Sequence, residues 1–151
     1  MKRTRRLWLL IILCALIFSV LPAAGATSVN ARFGVYTNAG KLFVGGELSV
    51  PVAPQIDFSP NLEFVFVGNG NDWSFNFDFH YNLAASRPLQ MWAGGGLGVI
   101  SRSHDGSHAN VGLNLLFGVG FLTSGNLVPY IQAKGVVSSD SEFVLGFGIR
   151  F

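Results

Sequence analysis

The stretch Trp-Ser-Phe-Asn-Phe-Asp-Phe-His-Tyr-Asn-Leu, residues 73–83, alternates bulky apolar and polar side chains with a period of two. This period is typical of a β-strand whose two faces meet different surroundings. It recurs along the chain after residue 27, and clusters of Gly, Pro, Asn, Asp and Ser interrupt it at near-even intervals. We therefore predict an all-β protein with eight strands, at 29–37, 41–50, 56–67, 73–83, 89–101, 109–122, 127–137 and 141–151.

The bulky face is too large for the interior of an eight-stranded barrel, which side chains only just fill. This argues against a soluble, lipocalin-like barrel with that face inside. We expect the bulky face to contact lipid, and the barrel to be closed because an open strand edge in hydrocarbon leaves backbone groups unpaired. The small and polar residues expected inside are Gly94, Gly96, Gly98, Gly112, Gly118, Gly120, Gly146, Gly148, Asn76, Asn114 and Gln132.

The N-terminus has the three parts of a secretory signal peptide: a basic start at 2–6, an apolar run at 7–21, and small residues that predict cleavage after Ala26. The apolar run is shorter than the roughly 20 residues that a membrane-spanning helix needs. We predict a cleaved leader at 1–26 and one barrel domain at 27–151, exported to a Gram-negative type of outer membrane.

Charge and cysteine content exclude two classes of protein. After removal of the leader, the chain has six basic and eight acidic residues. Its net charge is therefore −2, and no nucleic-acid partner is expected. Cys14 lies in the leader, so the mature domain has no disulfide framework.

Charged and polar residues on the inward face predict a network in the lumen. Mixed signs in a narrow interior can pair, and buried charges need partners. We favour an ionic and hydrogen-bonded plug; the alternative is the lining of a narrow porin-like channel for small solutes or ions. The network residues are Arg32, Glu47, Asp57, Glu63, Asp78, His80, Lys134, Glu142 and Arg150.

Other motifs have simpler interpretations than a ligand site. His104, Asp105 and His108 are expected in a solvated loop, because two histidines without a third defined ligand make a weak metal site. The stretch Gly94-Gly95-Gly96-Leu97-Gly98 lacks the following helix and the Lys-Ser/Thr of a phosphate loop. No metal, cofactor or catalytic residue is predicted. Aromatics expected at the membrane interface are Trp73, Tyr81, Trp92 and Tyr130.

Two prolines fall within predicted strands. Because proline breaks a hydrogen-bonded ladder, we expect Pro60 and Pro129 at strand ends or bulges. An alternative to the range 56–67 is a third strand that begins at Asn61, with 51–60 as a longer turn.

The segment 142–151 alternates bulky apolar residues and ends on Phe151. With this ending, the whole mature chain resembles the small outer-membrane β-barrel family, the eight-stranded kind typified by OmpX and the OmpA barrel domain. The resemblance implies an up-and-down transmembrane barrel with periplasmic termini, a monomer in outer-membrane lipid. It also implies that the barrel-assembly machinery reads the last strand through Phe143, Leu145, Phe147, Ile149 and Phe151.

These features favour a structural or surface-interaction protein, with the channel as the alternative. A second alternative is a lipid-modifying barrel enzyme that uses His80 with Asp78 or Ser74. It is disfavoured, because no activated nucleophile is evident.

Overall fold

The computed structural model describes residues 26–68, 71–86, 88–102 and 108–151. These ranges form eight strands, as predicted; the predicted leader at 1–26 lies almost entirely outside them. The strands are β1 Ser28–Tyr36, β2 Lys41–Ala53, β3 Ile56–Phe66, β4 Asn71–Ser86, β5 Leu89–Arg102, β6 His108–Phe121, β7 Val128–Val137 and β8 Glu142–Arg150.

Each strand pairs antiparallel with the next, and β8 pairs with β1 to close the barrel. The backbone N–H of Phe151 continues the closing ladder and donates to the carbonyl of Val29 at 2.9 Å. The predicted all-β, closed up-and-down barrel is therefore confirmed. No helix of the described residues is long and apolar enough to cross a membrane. We call the end that carries both termini the terminal end, and the other the distal end.

The bulky apolar face points outward, as predicted. Phe33 on β1 is 59% exposed and Leu115 on β6 is 58% exposed, although both are large and apolar. Their neighbours on the same strands, Arg32 and Asn114, are buried. A surface of this kind is unfavourable in water and is matched by lipid.

The predicted start of the third strand at residue 56 is confirmed, and the alternative start at Asn61 is wrong. β3 begins at Ile56, and Pro60 lies within it, opposite Phe77 of β4. On its other side, the ladder with β2 passes directly from the Val50–Phe58 pair to the Glu47–Asn61 pair. Pro60, which has no N–H to donate, thus lies where the β2–β3 ladder is interrupted. A sheet accommodates proline at such positions.

Two ladders extend further than predicted at the terminal end. β2 continues to Ala53 and β3 follows after two residues, with Gln55 at a φ of 67°. β4 continues to Ser86, which pairs with Leu89. Pro129 lies near the start of β7, as expected, one residue before the ladder with β6 begins at Tyr130.

Candidate functional site: the barrel interior

The middle of the lumen is polar and sealed from solvent. The inward face alternates with the lipid-facing one, so every second residue of each strand points to the barrel axis. Among the described residues, fifteen inward polar side chains are at most 3% exposed. They are Asn30, Arg32, Glu47, Ser49, Ser59, Asn61, Glu63, Asp72, Ser74, Asn76, Asp78, His80, Asn114, Gln132 and Lys134.

A group of ion pairs crosses the lumen. Arg32 Nη1 lies 2.7 Å from Glu47 Oε2, and Arg32 Nη2 lies 3.3 Å from Glu63 Oε1. Lys134 Nζ donates to the same Glu63 oxygen at 2.9 Å. The Tyr36 hydroxyl donates to the other oxygen of Glu63. Strands β1, β2, β3 and β7 are therefore tied together across the barrel.

Asp78 belongs to a separate cluster of amides. Its oxygens accept from Asn61 Nδ2 at 3.0 Å and from Asn114 Nδ2 at 2.8 Å. Asn76 Nδ2 donates to Asn61 Oδ1 at 2.9 Å, and Asn114 Nδ2 also donates to Asn76 Oδ1 at 2.9 Å. The amide donors hold the buried carboxylate by hydrogen bonds, which a buried anion requires.

His80 contacts a different partner from those considered in the sequence. Its Nδ1 lies 3.2 Å from the hydroxyl oxygen of Ser59, and its ring stacks on Trp92 with centroids 6.1 Å apart. The pairing of His80 with Asp78 or Ser74, on which the disfavoured enzyme alternative depends, is not among the hydrogen bonds of the described residues: Asp78 is held by amides, and the Ser74 hydroxyl accepts from Asn76.

An aromatic layer closes the lumen toward the terminal end. Trp92 is 1% exposed and Tyr130 is 3% exposed, so assigning these two to the membrane interface was wrong. Their rings meet edge to face at 5.6 Å, and Trp92 Nε1 donates to Gln132 Oε1 at 3.2 Å. They fit because Gly118, whose Cβ would overlap the Trp92 ring, has no side chain. Trp73 and Tyr81 do point outward, and both are exposed.

An apolar layer closes the lumen toward the distal end. Six side chains from β1, β2, β3, β5, β7 and β8 form one buried cluster. Within it, the rings of Tyr36 and Phe43 meet edge to face at 5.6 Å. The members are Tyr36, Phe43, Val65, Ile100, Val136 and Val144.

The remaining predicted network residues lie at the two mouths and are half-buried. At the terminal mouth, Asp57 accepts from Asn82 Nδ2 at 3.0 Å, and the guanidinium of Arg150 lies 5.3 Å from the centre of the Trp92 ring. Glu142 lines a cavity at the distal mouth.

In the described part of the chain, no three His, Cys, Asp or Glu side chains are grouped to hold a metal ion. His104 and Asp105 lie outside the described residues.

The interior therefore stacks three layers: apolar, polar and aromatic. Neither the apolar nor the aromatic layer was predicted from the sequence, although the sequence does indicate the aromatic one. Trp92 lies two residues before Gly94 on β5, and Tyr130 lies two residues before Gln132 on β7. Residues two apart on a strand point to the same face, and Gly94 and Gln132 were predicted to point inward. The alternation alone places both aromatics inside.

Comparison with known proteins shows the fold. No protein-family profile matches the chain, and neither does any curated protein sequence. Among solved structures, the N-terminal β-barrel domain of Pseudomonas aeruginosa OprF superposes with a TM-score of 0.71 at 14% identity, covering 83% of this chain and 95% of that chain. Neisserial surface protein A gives 0.59 at 12% identity, with 82% and 92% covered. The outer membrane enzyme PagL gives 0.57 at 13% identity, with 82% and 98% covered. This chain has the fold of the small eight-stranded outer-membrane barrels.

Proposed function

We propose that this chain is an integral outer-membrane β-barrel protein of structural or surface-interaction type, and that its lumen conducts no solute. Its outward face is apolar on every strand, and its strands run from 9 residues in β1 to 16 in β4. Tilted strands of about 9–11 residues cross the hydrocarbon of a bilayer. In this setting the terminal end is periplasmic and the distal end is extracellular.

Export and assembly complete the proposal. Residues 1–26 act as a cleaved leader, and β8 with Phe151 presents the signal that the barrel-assembly machinery reads. The mature protein is a monomer whose partner is outer-membrane lipid. It binds no nucleic acid, cofactor or metal.

The proposal of a closed lumen depends on one observation: the apolar layer and the aromatic layer lie on either side of the polar network. Hydrated ions would have to pass the ring of Phe43 and its neighbours, and then the Trp92–Tyr130 layer. Neither layer offers an ion a replacement for its hydration shell, so entry is strongly unfavourable. The polar network ties the strands together between the two layers.

Conductance in a planar lipid bilayer tests this proposal. We expect no current steps from the wild type or from Glu47→Gln, because that change leaves both apolar layers in place. The double variant Phe43→Ala, Trp92→Ala removes the bulk of both layers and should conduct. Ohmic conductance of the wild type, with an ion selectivity that Glu47→Gln shifts, would instead support the channel.

The enzyme alternative has one observation in its favour, the Ser59 hydroxyl 3.2 Å from His80 Nδ1. We propose that this pair is structural. It lies in the lumen beside the buried Trp92, where a lipid substrate has no path, and Asp78 is held by amides instead of orienting the imidazole. Unchanged lipid A in an overexpressing strain is the expected result. Lipid A turnover that disappears in His80→Ala would establish an enzyme.

A further inference from the structure

The backbone is irregular around the terminal mouth of the barrel. The ladder between β2 and β3 changes register between Pro51 and Ala53, and the ladder between β4 and β5 changes register between Asn82 and Ala84. Gln55, in the turn between β2 and β3, has a φ of 67°, which is uncommon for a residue other than glycine. Bulges at barrel rims re-aim side chains, and backbone outliers cluster at functional sites. Three irregularities at one mouth therefore favour a binding site there.

A chain of hydrogen bonds crosses the same mouth. Arg150 Nη1 donates to Gln90 Oε1 at 3.4 Å, and Gln90 Nε2 donates to Asn82 Oδ1 at 3.5 Å. Asn82 Nδ2 donates in turn to Asp57 Oδ2 at 3.0 Å. The backbone N–H of Asn82 donates to the carbonyl of Gln55 at 2.8 Å, which ties the chain to the irregular turn. All three side-chain bonds run in one direction, from the cation to the carboxylate.

The two charged ends of this chain have no ionic partner. Among the described residues, neither Arg150 nor Asp57 takes part in an ion pair. Both side chains are half-buried, so each is partly shielded from water and still reached by solvent at the terminal end. Beneath them lies Trp92, which is 1% exposed and has the Arg150 guanidinium 5.3 Å from the centre of its ring. A molecule bound at the mouth therefore stays outside the lumen.

A separated cation and anion match a zwitterion. A carboxylate accepts two parallel hydrogen bonds from a guanidinium, and an ammonium group donates to a carboxylate. Because β4 separates β3 from β5, Asp57 and Gln90 lie on strands roughly 10 Å apart. The charges of a single amino acid are too close together to span this mouth. A dipeptide has one amide bond between its ammonium and its carboxylate, and that bond can exchange hydrogen bonds with the side-chain amides of Asn82 and Gln90.

We propose that the terminal mouth binds a zwitterionic peptide of dipeptide length, with its carboxylate on Arg150 and its ammonium on Asp57. The peptide bond lies along Asn82 and Gln90. Binding requires only the folded barrel; the periplasmic source of the ligand rests on the proposed function, which places the terminal end in the periplasm.

The test uses protein purified from cells that express the full chain, held in a nonionic maltoside detergent. Glycylglycine is titrated at constant pH and ionic strength, and binding is followed by backbone amide shifts in NMR spectra. We expect saturable shifts confined to the terminal mouth, and an affinity about tenfold lower in Arg150→Gln and in Asp57→Asn, each of which removes one charge. Arg102→Gln and Glu142→Gln, the matched changes at the distal mouth, should leave the affinity unchanged.

Two blocked peptides assign the ends of the ligand on the wild-type protein. N-acetylglycylglycine has no ammonium group and glycylglycinamide has no carboxylate, so both should bind about tenfold more weakly than glycylglycine. The loss caused by N-acetylation should vanish in Asp57→Asn, and the loss caused by amidation in Arg150→Gln, because each variant already lacks that contact. Glycine, which is too short to reach both charges, should bind as weakly as the blocked peptides.

Equal binding of glycylglycine and both blocked peptides would overturn the proposal, as would an unchanged affinity in both variants. The blocked peptides are measured on the wild type, so that result does not depend on whether a variant folds. Unboiled samples on a denaturing gel report the folded barrel separately. A wild type that shifts in mobility on heating but shows no saturable binding would contradict the dipeptide site and leave the proposed function intact.

Discussion

At the scale of single residues, Glu63 joins three side chains in the lumen. It contacts Arg32, Lys134 and the Tyr36 hydroxyl, and it is fully buried. A buried pair adds little compared with an apolar replacement, but removing one partner leaves uncompensated charge.

Glu63→Gln should therefore lower the free energy of unfolding by about 3–5 kcal/mol, because Lys134 loses its anionic partner inside the lumen. Urea unfolding in lipid vesicles, followed by tryptophan fluorescence, measures this. Arg102→Met is the control: its pair with Asp140 is solvent-exposed at the distal mouth, and its loss should cost no more than about 1 kcal/mol. Equal losses in the two variants would contradict the importance assigned to the buried network.

Gly118 tests the aromatic layer. In Gly118→Ala the new methyl group would overlap the Trp92 ring, so we expect a loss of about 1–3 kcal/mol and a shifted tryptophan emission. Gly46→Ala is the control, because the nearest atom to its added Cβ is the Asn30 carbonyl oxygen at 3.9 Å. A neutral Gly118→Ala would mean that Trp92 does not lie against β6.

At the scale of strands, the sequence predicts where the elements are but not how far each ladder runs. Alternation identifies all eight strands, because lipid outside and a narrow lumen inside impose opposite demands on successive residues. The extra length of β4 depends on its pairing with β5, which the chain between residues 84 and 88 does not reveal. The Ser59–His80 contact likewise depends on the register between β3 and β4, which the sequence does not give. Pro60 was expected at a strand end but lies inside β3, opposite Phe77.

The closing strand supports a prediction of its own. Phe151 is 59% exposed and extends the β8–β1 ladder, so it is presented both to lipid and at the seam of the barrel. Deletion of Phe151 should lower the fraction of chain that folds in cells at least severalfold. The fraction is measured by the mobility of unboiled samples on a denaturing gel.

Phe66→Ala provides the matched control, since Phe66 is a similarly exposed phenylalanine, at 56%, on β3. It should fold like the wild type. If both variants lose folding equally, the effect of Phe151 is that of any lipid-facing ring and not of a C-terminal signal.

At the scale of the whole molecule, the inside–outside assignment could be made before any coordinates because it follows from volume. The outward faces of β4 and β6 carry six bulky side chains each, and with those of the other strands they exceed what eight strands enclose, whereas glycines and amides fit. The composition of the lumen was harder to predict. Tryptophan and tyrosine are residue types common at membrane interfaces, so Trp92 and Tyr130 were expected there. Inside the barrel they fit because Gly118 and Gly148 have no side chain that would overlap their rings.

The most direct test of a closed barrel with its apolar face outward is the behaviour of residues 27–151 refolded in detergent. Boiled and unboiled samples are compared on a denaturing gel, and circular dichroism is recorded with and without detergent. A membrane barrel should shift in mobility on heating and should show β-structure only when detergent is present. A chain that stays soluble and folded without detergent would contradict the assignment and place the apolar face inside a ligand cavity.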